Sequence, residues 1–159
     1  MWLRNETNGA QRVSRSVSKE AKLVLRYVYS DMPLNWHQGN TFQIDHLLPV
    51  SRLSKIIESN KDPGWPMSAV GNLALLPGWI NDKKNDKTPG EYLESLSEAD
   101  RNSEEPFIKF GAFFALERLA IPQSDDHHED WSRDDYVEVV EARQAVIRDK
   151  VIEVLNLTD

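Results

Sequence analysis

Cysteine is absent from all 159 positions, and this single absence removes most of the devices that staple a small chain together. Disulfides, a cysteine nucleophile, a zinc ribbon and an iron–sulfur cluster are excluded. The fold must be held by packing, and any metal must be bound by oxygen and imidazole. The length matches one domain, typically ~100–200 residues, and 40% hydrophobic with 28% charged residues is a globular composition. No apolar stretch approaches the ~18–20 residues that span a bilayer, and the first ten residues carry no apolar signal core. No membrane partner and a cytoplasmic location are therefore expected.

A formal charge of −7 argues on its face against nucleic acid, because phosphate binding is driven by Lys and Arg. The distribution changes that judgement. Residues 1–30 hold six basic and two acidic side chains, residues 31–90 six of each, and residues 91–159 seven basic and eighteen acidic. The acidity belongs to the last third.

Hydrophobic periodicity predicts a helix over 18–29, with Ser18 as N-cap and Leu23, Val24, Tyr27 and Val28 on one face. A short strand ending near His46 follows, then an amphipathic helix over 51–59 and a Pro- and Gly-rich loop. The apolar run Leu73, Leu75, Leu76 is too short for periodicity to decide between strand and helix. A polar segment after Trp79 and Ile80 is expected to form one or two helical turns that close on Pro89-Gly90. A capped helix from Ser103 places Phe107, Phe110, Phe114, Leu116 and Leu119 on an apolar face. A last helix runs from about 132 to 155 with the stripe Tyr136, Val140, Ile147, Val151, Leu155.

Two groups of residues can carry chemistry. Asp45-His46 sits at the end of a strand just ahead of Pro49; neighbours on a strand point to opposite faces, so the two can serve different partners, one a metal and the other a water. Gly71-Asn72-Leu73-Ala74-Leu75-Leu76 follows, with Asn81 nine residues after Asn72. An amide oxygen is a neutral hard ligand suited to Mg²⁺, and with one carboxylate it leaves coordination positions for water and phosphate.

Together Asp45-His46-Leu47-Leu48-Pro49, Asn72-Leu73-Ala74-Leu75-Leu76 and Asn81-Asp82-Lys83-Lys84 resemble the HNH, or ββα-metal, endonucleases. The chain looks most similar to the C-terminal nuclease domain of GmrSD-type modification-dependent restriction enzymes, which also carry a helical tail with an Arg, similar to the segment containing Arg143. The specific motifs span 42–87. The resemblance implies an α+β, mainly α-helical fold: one nuclease domain over 1–159, with a β-hairpin near 42–45 and 73–76, a short helix from about Asn81, and helical support from 18–30 and 103–156.

The resemblance also implies roles. His46 would be the general base, Asp45 and Asn81 would ligate one Mg²⁺ or Mn²⁺, and Asn72 would brace the loop bearing His46 through backbone hydrogen bonds. Lys83, Lys84, Asn85 and Lys87 would meet the phosphates of DNA, so that charge reversal at Lys84 weakens binding. The implied function is a metal-dependent DNA endonuclease, the effector domain of a bacterial restriction or anti-phage defence system. Its relatives carry an N-terminal nucleotide-hydrolysing and sensing domain or subunit, which is not within these residues. Asn81 stands where many relatives have His, and their zinc-knuckle cysteines are missing.

Blander readings stand beside these. Lys83, Lys84 and Lys87 alternate with Asp82 and Asp86 as a solvated helix face would. His127-His128 and His37 read as loop residues without a third spaced ligand. The five tryptophans, Trp2, Trp36, Trp65, Trp79 and Trp131, read as core or hinge packing. The rival function is a catalytically silent HNH-like scaffold that binds DNA or a protein.

Overall fold

The computed structural model describes residues 17–29, 42–60, 64–101 and 131–155. The expected helix through Phe107 and Leu119, the histidines His37, His127 and His128, and Trp2 and Trp36 lie outside the described residues. The elements in chain order are α1 (Lys19–Val28), β1 (Phe42–His46), α2 (Val50–Asn60), a 3-10 turn (Val70–Asn72), β2 (Leu73–Pro77), α3 (Gly78–Lys84), α4 (Pro89–Glu94), α5 (Glu98–Arg101) and α6 (Arg133–Val154). The architecture is α+β and mostly helical.

β1 and β2 pair antiparallel, from Phe42 opposite Pro77 to His46 opposite Leu73. Every residue of β2 is buried, which is why it reads as a continuous apolar run rather than an alternation. The pairing matches the expected strands, but no tight turn joins them, because residues 47–72 carry α2 and the 3-10 turn between. α3 starts at Gly78, three residues ahead of the expected position. Pro77, at φ −54°, ends the strand and is already set for a helix start.

Ser18 caps α1 as expected, its Oγ accepting from Ala21 N at 3.1 Å. The buried face is Ala21, Leu25 and Val28, whereas Leu23 and Tyr27 of the expected stripe are 55% and 39% exposed. Ala21 admits close packing, so the i, i+4, i+7 row through Leu25 turns inward and the expected stripe is rotated to the flank. At the other end of the motif, Pro89 and Gly90 open α4 instead of closing α3. Thr88 Oγ1 accepts from Glu91 N at 3.3 Å while Glu91 Oε2 accepts from Thr88 N at 2.9 Å, a capping box with proline at the first helical position.

Two apolar clusters result. The larger joins Leu25 and Val28 of α1, Leu73 to Leu76 of β2, Ile80, Tyr92 and Ile147. The smaller joins Leu48, Leu53, Ile56, Trp65, Met67, Tyr136 and Val140 under α2, where the Trp65 and Tyr136 rings stack with centroids 5.3 Å apart. Trp65 is thus core, and Trp79 and Trp131 are half-buried against the two clusters. α6 begins with a capping box between Ser132 and Asp135, a device that stabilises a helix start by about 1 kcal/mol. No helix among the described residues is long and apolar enough to cross a membrane.

Candidate functional site

The 3-10 turn Val70–Asn72 is the hub of the expected site. Asn72 is 2% exposed, and its amide is satisfied by backbone alone. Oδ1 accepts from Leu48 N at 2.9 Å, and Nδ2 donates to Leu48 O at 3.1 Å and to Met67 O at 2.9 Å. Its own carbonyl accepts from Leu47 N at 2.9 Å. One buried side chain therefore ties the stretch after His46 to the residue before Ser68. Few side chains other than an amide offer acceptor and two donors in one plane for this.

The two tied stretches meet at His46 and Ser68, whose Nε2 and Oγ lie 3.1 Å apart. His46 is half-buried and Ser68 buried. When Nε2 carries the ring proton it donates to Oγ, and Nδ1 keeps the basic lone pair; in the other tautomer the hydroxyl donates to Nε2. Burial, helped by the nearby Lys84 charge, holds the imidazole below its ordinary value of 6.5, so at neutral pH it is an uncharged base.

Asp45 and Asn81, expected to share a metal, are brought to one face of the strand–strand–helix unit. Asn81 and Lys84 lie one turn apart on α3, and Gln43 and Asp45 lie two residues apart on β1. Asn81 Nδ2 donates to Gln43 Oε1 at 2.7 Å. Lys84 Nζ sits 2.8 Å from Asp45 Oδ2 and donates to His46 O at 3.1 Å. Burial pushes the Asp45 carboxyl above its ordinary value, against the lowering effect of the ammonium. The donor chemistry, one carboxylate and one amide oxygen, suits a hard divalent cation. That fit requires the ion to take the place of the Lys84 ammonium at Asp45. Among the described residues no group of three or more His, Asp or Glu side chains gathers around a common point.

The lysines separate. Lys84 is 2% exposed, so the expected solvated face and the expected phosphate contact are corrected there: its charge points into the fold, and reversing it would set two carboxylates against each other. Lys83 is exposed, with its ammonium 5.5 Å from the centre of the Trp79 ring. Lys87 donates to the Lys83 carbonyl at 3.0 Å. Asn85 ends α3 with φ +50° and ψ −120°, a positive-φ turn position that favours glycine.

Three residues have roles that sequence reasoning does not give. Ser68 carries no signal in its loop. Gly71 was noted only as part of a motif, yet a Cβ there would collide with the Val140 carbonyl. Arg143, fully buried, donates from Nη1 to Gly71 O and to Leu73 O, each at 2.7 Å. Burial lowers its guanidinium to about 10, with the Tyr29 phenol beside it, so it stays charged at neutral pH. Its signal was available: Arg143 fills the gap between Val140 and Ile147 in the apolar stripe. Compared with protein-family models, with curated proteins and with solved structures, the chain has no match in any of the three.

Proposed function

We propose that the chain is a metal-dependent DNA endonuclease of the HNH type, acting as the effector domain of a bacterial restriction or anti-phage defence system. The observation that carries the reading is the convergence on His46: a half-buried, neutral imidazole at the end of β1, held by Ser68, with its loop pinned on both polar groups of Leu48 by Asn72.

In this reading His46 accepts the proton of the attacking water through Nδ1, in the tautomer whose Nε2–H donates to Ser68 Oγ. A low-lying imidazole titration keeps that nitrogen free below neutral pH as well as above it. Ser68 and Asn72 fix the ring and its backbone, and placing a base against a bound phosphate in this way supplies much of the rate. Asp45 and Asn81 would hold one Mg²⁺ or Mn²⁺, which when bound supplies Lewis-acid stabilisation of the phosphate charge. Lys83, Asn85 and Lys87 are the members of the expected phosphate-binding set at the α3 surface. A separate nucleotide-hydrolysing and sensing domain or subunit would decide which DNA is cut.

The test is nicking of supercoiled plasmid in Mg²⁺, Mn²⁺ or EDTA by the full chain and by His46→Ala. Metal-dependent nicking that falls by about 10²–10⁴-fold in the variant, the usual contribution of a general base, is expected; equal cutting by both defeats the assignment. The Asp45–Lys84 ion pair favours a second reading, a silent scaffold that binds DNA or protein, since the expected metal carboxylate already has a cation at 2.8 Å. Absence of nicking under all three conditions, with DNA retained on a gel, supports that reading instead.

A further inference from the structure

α6 is separated by about half the chain from the motif, yet it reaches the candidate site at three points. Arg143 Nη1 bridges the carbonyls of Gly71 and Leu73, the residues on either side of Asn72. The Val140 backbone lies so close to Gly71 that no side chain fits between them. Tyr136 Oη donates to Pro66 O at 3.0 Å, in the loop that carries Ser68. A fully buried guanidinium is expensive unless its donors are used, and no carboxylate pairs with this one among the described residues. Its Nη1 donates to the two backbone carbonyls on either side of Asn72, and the Tyr29 phenol lies beside the guanidinium. That is an arrangement for holding a turn, not for neutralising an acid.

We propose that Arg143 is a positioning residue of the site. By gripping the turn on both sides of Asn72 it sets the plane of the Asn72 amide. The amide sets the backbone at Leu48 and Met67, and on those two stretches stand His46 and Ser68. The effect on catalysis rests on the nuclease reading above; the coupling of α6 to the Leu48 backbone does not. Because one nitrogen makes both bonds, a lysine can replace part of the grip, whereas a glutamine, shorter and neutral, cannot.

The experiment uses the full chain with Arg143→Gln and Arg143→Lys. Amide hydrogen exchange reads the coupling without reference to activity. Leu48 N–H, which donates to Asn72 Oδ1, is expected to exchange at least about tenfold faster in Arg143→Gln while α1 and the β1–β2 ladder stay protected, as local opening requires. Unchanged protection at Leu48 overturns the proposal. If Arg143→Gln does not fold, exchange on the unaltered chain in rising urea decides: Leu47 and Leu48 must open together with the α6 amides, and independent opening overturns it.

Plasmid nicking reads the consequence. Arg143→Gln is expected to lower kcat by about 10–100-fold, as a small misplacement of a reacting group does, with KM little changed and part of the loss recovered by Arg143→Lys. A loss that merely follows the unfolded fraction, or that appears in KM alone, overturns the positioning role. A wild-type chain that cuts nothing defeats the nuclease reading and leaves the exchange measurement to judge the coupling.

Discussion

Asp45 and His46 are neighbours in the chain and belong to opposite faces of β1, and the two faces are built on different principles. On one, Asp45 is buried against the Lys84 ammonium and Gln43 meets Asn81, so α3 is locked to the strand by charge and amide contacts. On the other, His46 is half-buried and uncharged, its ring hydrogen-bonded to a serine hydroxyl, and its position is set by hydrogen bonds made elsewhere, through Asn72. The first face is rigid because its own side chains are paired. The second is rigid because its backbone is held from behind, which leaves the reactive ring lightly encumbered. On the proposed function, in which His46 accepts a proton, the second kind of support is the one required.

The largest effect that separates the faces is expected from Lys84→Met. Removing the ammonium strands a buried carboxylate, which destabilises a fold by about 3–5 kcal/mol. Urea unfolding should show that loss at pH 7, shrinking at lower pH as Asp45 takes up its proton, with most of it restored by adding Asp45→Leu. A loss that does not depend on pH would mean the ion pair is not what joins β1 to α3.

Ser68→Ala is a smaller cut on the opposite face. It should lower stability by about 1 kcal/mol, the worth of one ordinary hydrogen bond, while raising the mobility of the His46 ring in NMR relaxation. Identical ring dynamics in both proteins would show that Ser68 does not hold it.

The smallest effect is a slope with pH. The native state binds the His46 proton less tightly than the unfolded chain, so the stability from this group is full above 6.5 and is lost as pH falls through the window below it. Asp45 acts in the opposite sense: its raised folded value gives stability that is full below 3.8 and lost as pH rises through the raised value. His46→Asn should flatten the first slope and leave the second, as followed by urea midpoints across pH 4–8.

Much of this was legible in the residues. Ser18 announced α1, the apolar stripe announced α6, and the strand ended at His46; the run that forms β2 is apolar throughout because every residue is buried, which is why periodicity left it open between strand and helix. The candidate side chains His46, Asn72 and Asn81 were found by motif. What stayed hidden was direction. Lys83, Lys84 and Lys87 look alike in a polar segment, and only the turn of α3 against β1 sends Lys84 inward. The α1 stripe was misplaced for a related reason: large apolar residues drew attention to Leu23 and Tyr27, whereas the small Ala21 decides which row packs. The resemblance points to Arg143, but its role was hidden by its type, since a charged residue within an apolar stripe reads as an interruption until the carbonyls it serves are seen.

The bond from Arg143 to Gly71 spans 72 positions of the chain, which bears on when the pocket around His46 comes into being. A growing chain emerges from its N-terminal end at ~5–20 residues per second, so both strands and α3 are exposed several seconds before the helix that grips the turn. During that interval the carbonyls of Gly71 and Leu73 lack their guanidinium partner, so the turn that carries Asn72, and with it the surroundings of the imidazole, takes its final form only when the distal helix docks.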